Sequence, residues 1–149
     1  MTTKTKTTRY EMRIVKIGCV REEPSIDKVT CPIDVLPFLS TIKNAEQEHF
    51  VAITLNGAGA VINVRVITIG LLNHSLVHPR ETFRGAITDN AANIIIAHNH
   101  PSGSLEPSPQ DIAITTQLKE AGAIIGIPIM DHIIVTRDNH CSFKERGLM

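Results

Sequence analysis

Two histidines two residues apart, His98 and His100, are followed eleven residues after the second by Asp111, with Ser108 three residues before that aspartate. Neutral imidazoles and a carboxylate are metal ligands, and two nitrogens with one oxygen leave the fourth position of a tetrahedral zinc site for water. Taken singly, each residue has an ordinary reading. A histidine at a strand end is usually capped or solvated, and Ser108 with Asp111 is close to the capping box of a helix start. Taken together, with a tight turn between them, they read as a metal site. The donor set favours zinc, with Mn²⁺ or Fe²⁺ as alternatives.

The flanking residues predict how these groups are positioned. Residues 91–97, A-A-N-I-I-I-A, form a short isoleucine-rich run with the pattern of a buried strand, so His98 and His100 sit as it ends. In extended backbone, side chains two apart point to the same side. Pro101, Ser102, Gly103 and Ser104 reverse the chain. Pro107-Ser108-Pro109 then announces a helix over 108–121, with Ser108 at its N-cap, Pro109 at its first position and Gly122 as its C-terminal cap. Asp111, in the first turn, can be aimed back at the histidines.

The string H-N-H-P-S-G-x-x-x-P-S-x-x-D resembles the signature of the RadC family, a bacterial branch of the JAB/MPN+ (JAMM) metal-dependent hydrolases. That signature is an upstream Glu, then His-x-His, seven residues, Ser, two residues and Asp. Similar stretches recur at Glu48-His49-Phe50, His78-Pro79-Arg80-Glu81, Asn90-Ala91-Ala92, Asp131-His132-Ile133-Ile134 and Ser142-Phe143-x-Glu145-x-Gly147, so the resemblance runs from about Ile33 to the end. It implies an α/β domain of JAB/MPN-like (cytidine-deaminase-like) fold and a Zn²⁺ ion on His98, His100 and Asp111. It further implies that Glu48 holds and deprotonates the water, and that Ser108 stabilises the oxyanion. Glu46 rivals Glu48, and only the E-x-F register favours the latter. The implied chemistry is metallopeptidase or isopeptidase, with an association to DNA repair. Full-length relatives usually carry a helix-hairpin-helix DNA-binding domain ahead of this region, and the chain is read as a single-domain form lacking it.

The rest of the chain sets bounds. Fifteen basic and fifteen acidic residues cancel, so no global field recruits nucleic acid, although DNA remains a candidate partner. Three cysteines without a CxxC pair argue for a reducing compartment, and the absence of a signal peptide or of an apolar run near ~18 residues makes the cytoplasm the expectation. Residues 1–9 read as a disordered, basic, Thr-rich tail and residues 10–149 as one domain. Alternation predicts a strand over 10–20, and apolar spacing predicts an amphipathic helix over 32–46, with Pro37 awkward inside it. Strands follow over 50–55 and 60–69, antiparallel across the turn at 56–59. A loop over 70–78 contains His74 and His78, expected at the surface or behind the ligands. A helix over 79–89 has Gly85 and Ala86 as a slim packing face, with Arg80 and Arg84 either solvated or turned to an acidic substrate. A strand over 127–136 holds Asp131-His132, an acid–imidazole pair that could orient a metal ligand or merely satisfy itself. A turn and a short strand over 141–143 end the chain. The order gives a mixed sheet flanked by helices.

Three function classes follow: a zinc hydrolase of peptide or isopeptide bonds, a nuclease or DNA-associated protein using the same metal site, and a non-catalytic scaffold. The full set of Glu48, His98, His100, Ser108 and Asp111 places the scaffold last. A zinc deaminase needs His-x-Glu and Pro-Cys-x-x-Cys, which the chain lacks. The letters H-N-H are not the HNH nuclease motif, whose residues are spread over a longer ββα unit.

Overall fold

The computed structural model describes residues 28–70 and 77–149. The expected tail, the expected strand over 10–20 and His74 lie outside them. Five strands form one mixed sheet: β1 (His49–Leu55), β2 (Val61–Ile69), β3 (Asn93–Asn99), β4 (Ile129–Val135) and β5 (His140–Ser142), in spatial order β2-β1-β3-β4-β5. β3 and β4 are parallel and every other pair is antiparallel. Two α-helices, α1 (Pro79–Thr88) and α2 (Pro109–Ile125), complete the α/β fold.

β3 lies mid-sheet with its residues from Ile94 onward buried, which explains why I-I-I-A is continuous rather than alternating. Alternation still sorts its side chains by face. Ile94 and Ile96 pack with Phe50, Phe83, Ile114 and Leu118 under the α-helices. Ile95 and Ala97 pack with Val35, Leu39, Ile53 and Ile133 on the opposite face. β2 is half-exposed, with Val66 and Ile69 open on its outer side.

Two elements differ from the sequence reading. The segment expected as an α-helix over 32–46 is a 3-10 helix, Pro32–Leu39, followed by turns. Pro37 has no N–H to donate and its ring collides with the carbonyl four residues back, so an α-helical ladder cannot run through it. Helix α2 continues past Gly122 to Ile125, and Gly126, in the left-handed region at φ 81°, caps it. Gly122 is instead a close-approach glycine. A Cβ there would stand 2.6 Å from the Ile127 carbonyl oxygen and 3.1 Å from Phe83 Cζ.

Candidate metal centre

His98 is the penultimate residue of β3, and His100 lies just beyond it, held in the sheet by its N–H to the Val135 carbonyl (3.0 Å). A turn closed by the Gly103 N–H on the His100 carbonyl (3.0 Å) then sends the chain toward α2. Ser108 caps α2: its hydroxyl accepts the Asp111 N–H (3.1 Å), while Asp111 Oδ2 accepts the Ser108 N–H (2.7 Å). Capping and metal holding are thus not rival roles. The same Asp111 carboxylate that closes the box faces both imidazoles, at 3.3 Å from His98 Nε2 and 3.4 Å from His100 Nε2.

The two Nε2 atoms are themselves 2.9 Å apart. Donors about 2.0–2.1 Å from a tetrahedral zinc stand roughly 3.3 Å from one another, so the spacing suits that ion. The donor chemistry agrees. His100 Nδ1 lies 2.8 Å from the Ser104 carbonyl, which can only accept, so the ring's hydrogen is on Nδ1 and a neutral His100 presents a lone pair at Nε2. The carboxylate is also an acceptor. A carboxylate and imidazole nitrogens brought together in a buried place suit a cation held among them. His98 is fully buried, Asp111 is 2% exposed and the His100 side chain 11%. Burial pushes the Asp111 carboxyl up, yet His100 and His98 beside it outweigh this and hold it well below the usual carboxylate range. Asp111 in turn raises the His100 pKa against the effect of burial, with smaller help from Ser104 and Glu48.

Glu48 immediately precedes β1. In the β1–β3 register Phe50 faces His98, and Glu48, two residues before Phe50, is near enough to His100 to act on its charge. Phe50 shares that face and stacks on His98, with ring centroids 6.3 Å apart. Glu46 lies outside the strand, in an exposed bend. Asn99 holds the Glu48 segment on the other side of β3. Its carboxamide oxygen accepts the His49 N–H (2.7 Å) and its NH₂ donates to the carbonyls of Gln47 (3.0 Å) and Ala45 (3.3 Å). Sequence reasoning missed Asn99, which is only the middle letter of His-x-His.

Asp131 and His132 meet only through the main chain, where the Asp131 carboxylate accepts the His132 N–H (2.7 Å), and their side chains serve different partners. Neighbours in a strand point to opposite faces, so the His132 ring reaches His98 while the Asp131 carboxylate binds Ser142 and Lys144. His132 is packed against Phe143 and Phe50. Burial, then the neighbouring His98, lowers its pKa well below the ordinary histidine value. His78, expected at the surface or behind the ligands, caps α1 by accepting the Arg80 N–H at Nδ1 (3.1 Å). Arg80 and Arg84 are exposed and paired with Glu81. No helix among the described residues is long and apolar enough to cross a membrane.

Residues 29–148 match the family described as "RadC-like JAB domain". The chain is 52% identical over 124 residues to a UPF0758 protein of Methanospirillum hungatei, covering 82% of this chain and 55% of that protein. It is 47% identical over 120 residues to a UPF0758 protein of Shouchella clausii (80% and 52% covered). With a UPF0758 protein of Rubrobacter xylanophilus it shares 44% identity over 131 residues (87% and 57% covered). The chain spans about half the length of the curated relatives it matches.

Proposed function

Because this chain belongs to the RadC-like JAB domain family, we propose that it is a metal-dependent hydrolase that holds zinc on His98, His100 and Asp111 and cleaves peptide or isopeptide bonds. The observation that carries this reading is the convergence of His100 Nε2, His98 Nε2 and the Asp111 carboxylate in a buried place. Zinc bound there supplies a Lewis acid and brings a water to a pKa of about 7.

The chain's own residues do the rest. Glu48, just before β1 and near enough to His100 to help raise its pKa, takes a proton on its carboxylate and returns it to the leaving nitrogen. The Ser108 oxygen accepts the Asp111 N–H with a lone pair, which leaves its O–H to donate to the carbonyl oxygen that gains charge. Phe50 and the buried strand end keep bulk water from His98, which strengthens every charge interaction at the site. Action on DNA through the same centre is the second reading. The balanced charge of fifteen basic and fifteen acidic residues gives it no general electrostatic support. A reducing, cytoplasmic setting suits the free thiols of Cys31 and Cys141.

The test is cleavage by zinc-loaded wild type and Glu48→Gln, side by side, on quenched isopeptide substrates and on labelled single- and double-stranded DNA. The expected result is isopeptide cleavage that falls by about 10²-fold or more in the variant. DNA cleavage with the same fall would move the assignment to phosphodiesters. Cleavage of neither would end the hydrolase reading.

A further inference from the structure

Behind His98 runs a row of hydrogen bonds through residues that the chemistry above leaves unused. His98 Nδ1 lies 2.8 Å from His132 Nε2, His132 Nδ1 lies 2.6 Å from Thr115 Oγ1, and Thr115 Oγ1 lies 2.6 Å from the main-chain carbonyl of Asp111. His98, His132 and Thr115 are each 1% exposed or less, so bulk water does not reach them.

The direction of the row is fixed from its far end. A main-chain carbonyl has no proton to give, so the Thr115 O–H donates to it. A hydroxyl has one proton, so toward His132 the Thr115 oxygen can only accept. His132 must then carry its hydrogen on Nδ1. The ring stacks on Phe143 with centroids 4.3 Å apart and meets Phe50 edge-on at 5.8 Å, an apolar sleeve that suits the neutral form. Neutral His132 has a lone pair at Nε2 and accepts the Nδ1–H of His98. His98 is left with a bare Nε2 facing His100 and Asp111.

We infer that Thr115 and His132 are positioning residues that fix the tautomer of His98, so that the backbone of one ligand residue, Asp111, sets which nitrogen of another is free for the ion. The inference rests on the zinc reading above. It also explains why Thr115 sits one helical turn after Asp111: that spacing places its hydroxyl on the Asp111 carbonyl and its oxygen toward β4.

Two measurements test it. Long-range ¹H–¹⁵N spectra of zinc-loaded wild type report which ring nitrogens carry hydrogen, and the expected state of His132 is Nδ1–H with an unprotonated Nε2. Hydrogen on Nε2, or on both nitrogens, would overturn the relay. Chelator-competition titration then compares zinc affinity in wild type, Thr115→Val and Thr115→Ser. Valine keeps the shape without the hydroxyl, and affinity should fall about 10–100-fold, as it does when partners behind a ligand are removed. Serine, which keeps the hydroxyl, should restore it. Unchanged affinity in Thr115→Val overturns the relay alone, whereas wild type that takes up no zinc overturns the zinc reading beneath it. Should Thr115→Val unfold, the wild-type spectrum still decides.

Discussion

Asp111 in the first turn of α2 and Asp131 in β4 are both carboxylates withdrawn from water, 2% and 6% exposed. Their surroundings are opposite. Asp131 is answered entirely by hydrogen donors: the N–H groups of His132 (2.7 Å) and Lys144 (3.1 Å) on Oδ1, and the Ser142 hydroxyl (2.6 Å) on Oδ2. Asp111 receives the Ser108 N–H and otherwise faces two imidazole Nε2 atoms, one of which has its hydrogen turned away to Ser104. Burial alone therefore does not mark a site. What separates a structural carboxylate from a ligand is whether neutral donors already satisfy it.

The largest difference is expected from deleting each in turn. Asp111→Ala should abolish zinc uptake, measured as metal content after dialysis, whereas Asp131→Ala should retain it. Denaturant unfolding of the metal-free proteins should reverse the order. Asp131→Ala leaves a buried hydroxyl and N–H groups without an acceptor and should lose roughly 3 kcal/mol, more than Asp111→Ala loses. A metal-binding defect in Asp131→Ala, or an equal stability loss in both, would break the comparison.

Metal addition sharpens it. At zinc concentrations near 100 times the dissociation constant, linkage should add about 2.7 kcal/mol to wild type. The melting temperature should rise in wild type and Asp131→Ala, and stay put in Asp111→Ala.

Asn99→Leu separates the base from the metal. It leaves the His49 N–H and the Gln47 carbonyl without their partner and loosens the segment carrying Glu48, while His98 on the opposite face is untouched. Turnover should drop about 10–100-fold, since small misplacements cost that much, with zinc affinity unchanged. A matching fall in affinity would mean that Asn99 shapes the ligands themselves.

The smallest effect concerns a third carboxylate, Asp89, bound by both Arg65 nitrogens and by the Thr54 hydroxyl (2.7 Å). Arg65 lowers its pKa from the ordinary 3.8 against the effect of burial. The folded state thus binds this proton less readily than the unfolded one, so the pair contributes stability above pH ~3.8 and loses it as pH falls through the depressed value. Asp89→Asn should flatten that acid-side slope in unfolding titrations. An unchanged slope would mean that the pair contributes nothing measurable.

How much of this was legible in the sequence follows the range of the interactions. Ser108, Pro109 and Asp111 carry a local pattern, and the helix start they announce is where they place it. His98 and His100 converge because two-residue spacing in extended chain is also local. The base segment depends on Asn99 reaching residues about fifty positions earlier, which no periodicity encodes. Thr115 reads as an ordinary helical side chain until β4 is laid beside it, and Asp131-His132 reads as a pair until the strand pleat parts the two. The 3-10 helix and Gly122 depart from the sequence pattern for a related reason: Pro37 and Gly122 are breakers in sequence, and only packing decides whether each changes a helix's type, ends it or admits a close neighbour.

The most direct test is a chelator-competition zinc titration of wild type against Asp111→Ala and Asp131→Ala. One zinc per chain is expected in wild type and Asp131→Ala, and none in Asp111→Ala. Zinc held equally well by Asp111→Ala, or by no form at all, would contradict it.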